Sequence, residues 1–410
     1  HWRGALTLKG RPATVDRKWG GRRNAASMPD GVYRVRMRAS AHGDVIEQSW
    51  DIALGKLPAA AMPAFGAMAT GPASTAARGP VRPGAAPAAA SLPFTVYLAN
   101  LHSQTNHSDG GGDLATCKGA QAPQSGAQGP AEAYGFARAR GLDVLMASEH
   151  NHMYDGDDGS NPNASPDVAK ALYQRGLADA AGFSEANPGF LALYGLEWGV
   201  INNGGHMNIF NAPELLAWER DASGQLLGDT LTAKGDYAGL YALMRQRGWI
   251  GQFNHPAQGG QFIVNGVALG YTRDGDEAMA LCEVLNTSAF STNTVEGETR
   301  RSNYEMACNK ALEAGYHVAF SSNQDNHCAN WGASYTNRTG VLLPSSEPPS
   351  AQALYEAIRA RRVFATMDKE SQVVLTANGH MMGERFDNAG LLRLVVGFSN
   401  AAGKRAASVV

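Results

Sequence analysis

The 410-residue chain carries almost no excess charge of either sign: 35 basic against 37 acidic residues, a formal net charge of -2. A protein that works on phosphate backbones usually has a basic excess, so nucleic acid is disfavoured as a partner. No run of 18 or more apolar residues occurs, so no membrane-spanning helix is encoded. Cysteine is scarce. Cys117, Cys282, Cys308 and Cys328 lie far apart without C-x-x-C spacing, which argues against a cysteine zinc site. Two disulfides and four free thiols both fit that spacing. No G-x-G-x-x-G or Walker loop follows an apolar run, so nucleotide-cofactor folds are disfavoured. There is no repeat of fixed period. The chain starts with His1 rather than Met, and nothing about export follows from that.

What is present is a globular composition. Hydrophobic residues make up 44%, which excludes global disorder, and the length allows two or three domains. The 48 glycines with only 18% charged residues point to many turns rather than long exposed helices. Four regions are expected. Residues 1–56 contain two alternating runs within 28–54 around a His-Gly-Asp turn, the pattern of a β module, possibly incomplete. Residues 57–93 are Ala, Pro and Gly with almost no charge, the composition of a linker. Residues 94–367 form the main domain, and 368–410 return to strand alternation around an Asn-Gly turn, a second β module, possibly incomplete.

Within 94–367, short apolar runs at 94–102, 142–148, 190–197, 206–210, 249–255, 281–286 and 317–323 predict buried strands. Amphipathic stretches at 130–140, 166–181, 237–247, 302–314 and 351–361 predict helices between them. Alternation of this kind predicts an α/β fold with a mostly parallel sheet. About seven units in so short a stretch suit a barrel-like arrangement.

Seven histidines fall in or beside those strand ends: His102, His107, His150, His152, His206, His255 and His327. Asp109, Glu149, Glu197 and Asp325 share the same places. Strand C-terminal ends of a parallel β/α fold face one rim, where active sites sit. A lone histidine is commonly a core or surface residue; seven at successive strand ends point to a metal centre. Imidazole with carboxylate is a donor set for zinc, manganese or iron.

In order, the motifs are His102-Ser103-Gln104 through Ser108-Asp109-Gly110, then Glu149-His150, Gly195-Leu196-Glu197, Gly205-His206, Asn254-His255-Pro256 and Asp325-Asn326-His327. This series resembles the PHP superfamily (polymerase and histidinol phosphatase) over about residues 96–367. Within it, the chain looks most like the branch of carbaryl-hydrolase-like metallohydrolases with flanking β modules. The resemblance implies a distorted (β/α)7 barrel with flanking β-sandwich-like modules. It implies two or three divalent ions (Zn, Mn or Fe) on His102, Asp109, His150, Glu197, His206, His255, Asp325 and His327. Gln104 stands where the pattern has a second histidine, and Glu149 where it has Asp. Gln104, Glu149, Asn254, Asn286 and Arg338 are expected to touch substrate or to support the ligands. Glu197 is expected to bridge ions, and His152 or His107 to protonate the leaving group.

The function this implies is a metal-dependent hydrolase, foremost a phosphoesterase using hydroxide on a small phosphate mono- or diester. The alternatives are hydrolysis of a neutral carbamate, ester or amide, and a binding protein with weakened catalysis. A small-molecule substrate suits the neutral charge balance. The flanking modules favour an extracytoplasmic location, periplasmic or secreted. Cys117 follows the opening loop and Cys328 follows His327, so the two are expected near one rim, close enough to pair.

Overall fold

Turn signals and apolar runs place the elements, and a computed structural model describes residues 31–41, 44–54, 92–117, 119, 121–201, 204–257, 260–297 and 302–409. The linker expected at 57–93 lies outside the described residues except for Leu92 and Pro93. Contacts divide the chain into two units. One includes β1 (Gly31–Ala41) and β2 (Asp44–Leu54), which pair antiparallel, with residues 377–380 and 385–395; the turn expected between the two strands lies, at 42 and 43, outside the described residues.

The other unit carries the main sheet. Its elements run β3 (Phe94–Asn100), α1 (Pro130–Ala139), β4 (Val144–His150), α2 (Pro166–Ala186), β5 (Leu191–Val200) and β6 (Gly205–Ile209). Two short strands follow, β7 (Leu216–Ala217) and β8 (Thr230–Leu231), then α3 (Tyr237–Arg247), β9 (Gly251–Phe253), α4 (Arg273–Ala278) and β10 (Met279–Asn286). The unit continues with β11 (Ser302–Asn303), α5 (Glu305–Ala314), β12 (Ala319–Ser322), β13 (Arg338–Pro344), α6 (Ala351–Arg359) and β14 (Val363–Thr366). Later in the chain, β15 (Ser371–Ala377), β16 (His380–Met381) and β17 (Leu394–Asn400) form a three-stranded sheet within the residues 368–410.

Local chemistry sets the helix ends. Pro130 opens α1, and Glu132 accepts the Gly129 N–H at 3.0 Å. Asp236 caps α3 through the Gly239 N–H at 2.9 Å, and Gly248 ends it in the left-handed conformation.

The ten-stranded sheet runs β11-β10-β9-β6-β5-β4-β3-β13-β14, with β12 also paired to β10. β12 packs against β13 and β14, and the Ser322 N–H donates to Thr339 Oγ1 at 2.9 Å, so the sheet curls until its ends meet. The expected barrel-like α/β architecture is therefore present, but seven β/α repeats are not seen. Four pairings are parallel (β3–β4, β4–β5, β9–β10, β10–β12) and five antiparallel (β5–β6, β6–β9, β3–β13, β13–β14, β10–β11). The reason is connection length. Residues 201–204 between β5 and β6 are far too few for a crossover, so β6 must turn back. The sequence reading also missed β13 and β14, which flank α6.

One hydrophobic cluster packs α1, α2 and α3 on the sheet through Tyr134, Tyr173, Leu240 and Met244; a second packs Leu354 and Ile358 of α6 on β3, β4 and β13. The inside of the curled sheet is polar. Asn208 Nδ2 donates to the Leu101 carbonyl at 2.7 Å, Ser321 Oγ to Gln252 Oε1 at 2.8 Å, and Asn323 Oδ1 accepts the Leu101 N–H at 2.8 Å. This floor lies beneath the strand ends that carry the histidines.

Candidate metal centre

Sheet register brings the first donors together. His150, the last residue of β4, pairs with Glu197 of β5, and Glu197 pairs with Asn208 of β6. His206 lies two residues before Asn208, on the same face. His102 follows β3, His255 follows β9, and Asp325-Asn326-His327 follow β12. Bridges Ser103–Asn326 and Gly112–Cys328 zip the opening loop to the closing one.

The loop 102–112 folds tightly on itself. The Ser108 and Gly110 N–H groups both donate to the Thr105 carbonyl, at 3.1 and 3.0 Å. A Cβ on Gly110 would sit 2.4 Å from the Gln104 carbonyl carbon, so only glycine fits there. Glu149 underlies this loop, accepting from the Thr105 N–H at 3.0 Å, Thr105 Oγ1 at 2.6 Å and Ser108 Oγ at 2.5 Å. Its carboxylate holds the loop and belongs to no metal-competent group.

Three overlapping groups result: His102, Glu197 and His255; His150, Glu197 and His206; Asp109, His150 and His327. Within each group the donor atoms lie within 4.8 Å of one another. Glu197, 1% exposed, is at the middle. Its Oε1 lies 3.0 Å from His102 Nε2, 3.0 Å from His206 Nδ1 and 3.3 Å from His255 Nε2. Its Oε2 lies 3.6 Å from His150 Nδ1. Asp109 Oδ1 is 3.4 Å from His327 Nε2 and 3.7 Å from His150 Nε2. Asp325 Oδ1 lies 3.1 Å from His102 Nε2.

These donors fit a divalent cation. A tetrahedral ion with bonds of about 2.1 Å spaces its ligands about 3.4 Å apart, the range seen here. Moreover, Asp109 Oδ1, His150 Nδ1 and Asp325 Oδ1 are buried without a hydrogen-bond partner. Buried polar atoms left unpaired by the protein's own groups suit a site that a cation could satisfy.

The electrostatics agree. Burial pushes the Glu197 carboxyl up, but His102, His206 and His150 override it and hold it well below the usual range. Burial likewise opposes ionisation of Asp109, and His327 and His150 hold it far down. Burial disfavours a charged His327, yet Asp109 and then Asp325 push it up to about 10. His206, most strongly affected by burial, is held down to about 4.

The expected supporting residues are placed as follows. Gln104 Nε2 donates to Glu197 Oε2 at 2.5 Å. Asn254 Nδ2 donates to Glu197 Oε1 at 2.9 Å and Asn208 Oδ1 at 2.7 Å. Asn286 Nδ2 donates to Glu283 Oε2 at 3.1 Å and Asp325 Oδ2 at 3.3 Å. His152 reaches the edge of the centre, its ring 5.7 Å from that of His150 and stacked on Trp218. Its Nδ1 is buried and unpartnered.

Two of the expected residues make their contacts elsewhere. Arg338 is not available to an anionic substrate. It is 1% exposed, and its guanidinium donates to Glu296 at 2.6 Å and to the carbonyls of Tyr335, Asn337 and Gly332. His107 is not brought to the centre. Its Nδ1 lies 2.6 Å from Tyr194 Oη, which continues to Tyr154 Oη at 2.7 Å.

Glu283 escaped the sequence reading. It is fully buried on β10, with Oε1 3.1 Å from His102 Nδ1. A carboxylate inside the apolar run Leu281-Cys282-Glu283-Val284-Leu285 was the available signal. The cysteines pair as Cys117–Cys328, as expected, and Cys282–Cys308.

No protein-family model matches the chain, and no curated protein matches it. Among solved structures it is similar to a two-domain protein from Bacteroides vulgatus ATCC 8482 that contains a predicted PHP-like metal-dependent phosphoesterase. The two share 17% identity, covering 68% of this chain and 72% of that one, with a TM-score of 0.40. At that degree of likeness neither fold nor function transfers from one to the other.

Proposed function

We propose that this protein is a metal-dependent hydrolase of the PHP type, acting as a phosphoesterase on a small phosphate mono- or diester. The observation that carries the reading is the set of three overlapping donor groups joined through Glu197 and His150, with Asp109 Oδ1, His150 Nδ1 and Asp325 Oδ1 left unpartnered in the interior. His102, Asp109, His150, Glu197, His206, His255, Asp325 and His327 would hold two or three divalent ions, zinc, manganese or iron. When bound, such ions supply the positive charge that acidifies water and polarises a phosphoryl or carbonyl oxygen near neutral pH.

The chain's own residues set the geometry. Glu197 turns Oε1 to His102, His206 and His255 and Oε2 to His150, with Asn254 fixing the first and Gln104 the second. Glu149 locks the loop that carries Asp109. His152 stands at the edge with a free buried Nδ1, the residue placed to exchange a proton with a leaving group. The two disulfides support an oxidising compartment, and hence an extracytoplasmic location.

A second reading, hydrolysis of a neutral ester, carbamate or amide, has one observation in its favour. Half-buried aromatic rings adjoin the histidines of the centre: Phe290 4.7 Å from His327 and Tyr304 6.4 Å from His255. Such rings suit an apolar substrate body. Turnover of p-nitrophenyl phosphate, its bis-ester and p-nitrophenyl acetate with manganese or zinc separates the readings. Phosphate-ester cleavage alone supports the first, acetate cleavage alone supports the second, and metal binding without turnover of any supports a binding protein.

A further inference from the structure

Glu283 has four donors, and among the described residues no lysine or arginine pairs with it. Its Oε1 faces His102 Nδ1 at 3.1 Å and accepts from Asn323 Nδ2 at 3.0 Å. Its Oε2 accepts the His255 N–H at 2.7 Å and Asn286 Nδ2 at 3.1 Å. A carboxylate has roughly four lone-pair sites, so none is left for an ion, and Glu283 belongs to none of the three metal-competent groups. The same carboxylate therefore touches the side chain of one candidate ligand and the backbone of another. His255 itself has φ +30°, a left-handed conformation that costs a non-glycine residue energy and needs support. The buried N–H bond to Glu283 supplies that support.

We infer that Glu283 is a positioning residue that keeps His102 protonated on Nδ1, so that Nε2 is the atom presented to a divalent cation, while setting the backbone of His255 beside it. This rests on the metal-centre reading above. A carboxylate behind a ligating imidazole fixes its tautomer and ring orientation and raises its basicity. Glutamine cannot replace it, although it has the same shape. With its oxygen toward His255, its amide would point at His102 Nδ1 and favour the tautomer that puts the proton on Nε2. With its oxygen toward His102, its amide would oppose the His255 N–H. Aspartate keeps the charge but is one methylene short.

The test is zinc affinity, measured by competition with a chromophoric chelator, for the full chain and its Glu283→Gln and Glu283→Asp variants. Thermal unfolding of the chelator-stripped proteins is followed in parallel. The expected result is one zinc ion weakened about 10- to 100-fold in Glu283→Gln, less in Glu283→Asp, with the remaining ions unaffected. A purely structural residue would instead lower the unfolding temperature of stripped protein and leave the affinity alone, and that outcome overturns the inference. A wild-type chain that binds no divalent ion overturns the metal-centre reading and this inference together. Tight binding that is equal in wild type and Glu283→Gln overturns this inference only. Should Glu283→Gln not fold, a crystal structure of the zinc-loaded wild type decides. His102 Nε2 on the ion with Glu283 still against Nδ1 supports the inference, and Glu283 on the ion refutes it.

Discussion

Removing the Cys117–Cys328 disulfide should loosen one part of the metal centre and spare the rest. The bridge joins the opening loop to the residue after His327, with Cα atoms 5.8 Å apart and 211 positions between them in sequence. Around it, the Gly112 N–H donates to the His327 carbonyl at 3.2 Å, and Gln121 Nε2 reaches the carbonyls of both Asp109 and His327 at 3.1 Å. The clamp therefore sets the gap between Asp109 and His327, two of the three donors in the group completed by His150. Closing a loop of that length in the unfolded chain is worth up to about 5 kcal/mol, and the 26-position Cys282–Cys308 loop about 3.5 kcal/mol. Both losses should appear as lower unfolding temperature. The difference lies in the native state. If only about 1.4 kcal/mol appears as freedom of the opening loop, affinity for the ion on Asp109, His150 and His327 falls about tenfold. The assay is metal content by mass spectrometry after dialysis against a weak chelator. Cys117→Ala/Cys328→Ala is compared with Cys282→Ala/Cys308→Ala. The first pair should lose one ion and the second none. Equal metal content in both would refute the reasoning and confine the 117–328 bridge to an effect on the unfolded chain.

Four further outcomes are expected. His255→Ala should remove an ion and abolish turnover while circular dichroism stays unchanged. Zinc binding at pH 7 should release protons, read by calorimetry in buffers of different ionisation enthalpy. The sign follows from His327, which Asp109 and Asp325 raise to about 10 against the opposing effect of burial, and from His102 and His255, also raised. Metal affinity should therefore climb with pH, whereas the stability His327 gives the metal-free protein is full below about 6.5 and lost as pH rises toward 10. Gly110→Ala should displace Gln104 and Asp109 together and lower both metal content and unfolding temperature. Gln104→His should lower kcat/KM by roughly tenfold to a hundredfold with metal in excess, because the amide bond to Glu197 Oε2 is buried and lost. Higher metal content and activity would instead show Gln104 to be a vacated ligand position.

The parts of this molecule legible in sequence were those with a local cause. Strand–helix alternation, the helix at 237–247 and histidines at strand ends all follow from neighbouring residues. Strand direction did not, since β6 and β13 run against the main strand direction for reasons of loop length and sheet closure. Arg338 was read as a residue that could touch substrate, yet its partner Glu296 is 42 positions away. Glu283 was missed for the same reason: its partners His102 and Asn323 lie 181 and 40 positions off. Periodicity reports which face a residue takes, not which distant donor meets it there.

Charge gives the deeper connection between this interior and its use. Asp109, Glu197, Glu283 and Asp325 are buried, and their ionic partners among the described residues are histidines alone. Four carboxylates in a low-dielectric interior without lysine or arginine are tolerable only if something else carries the positive charge. In the metal-free protein that charge is protons, which is why His102, His255 and His327 are raised while Glu197, Asp109 and Asp325 are lowered. Divalent ions would replace those protons without altering the fold, because the donor spacing is already set by strand register and by the Asn and Gln floor beneath. A cluster that would exchange protons for cations in this way has its donor spacing set before any ion or substrate arrives.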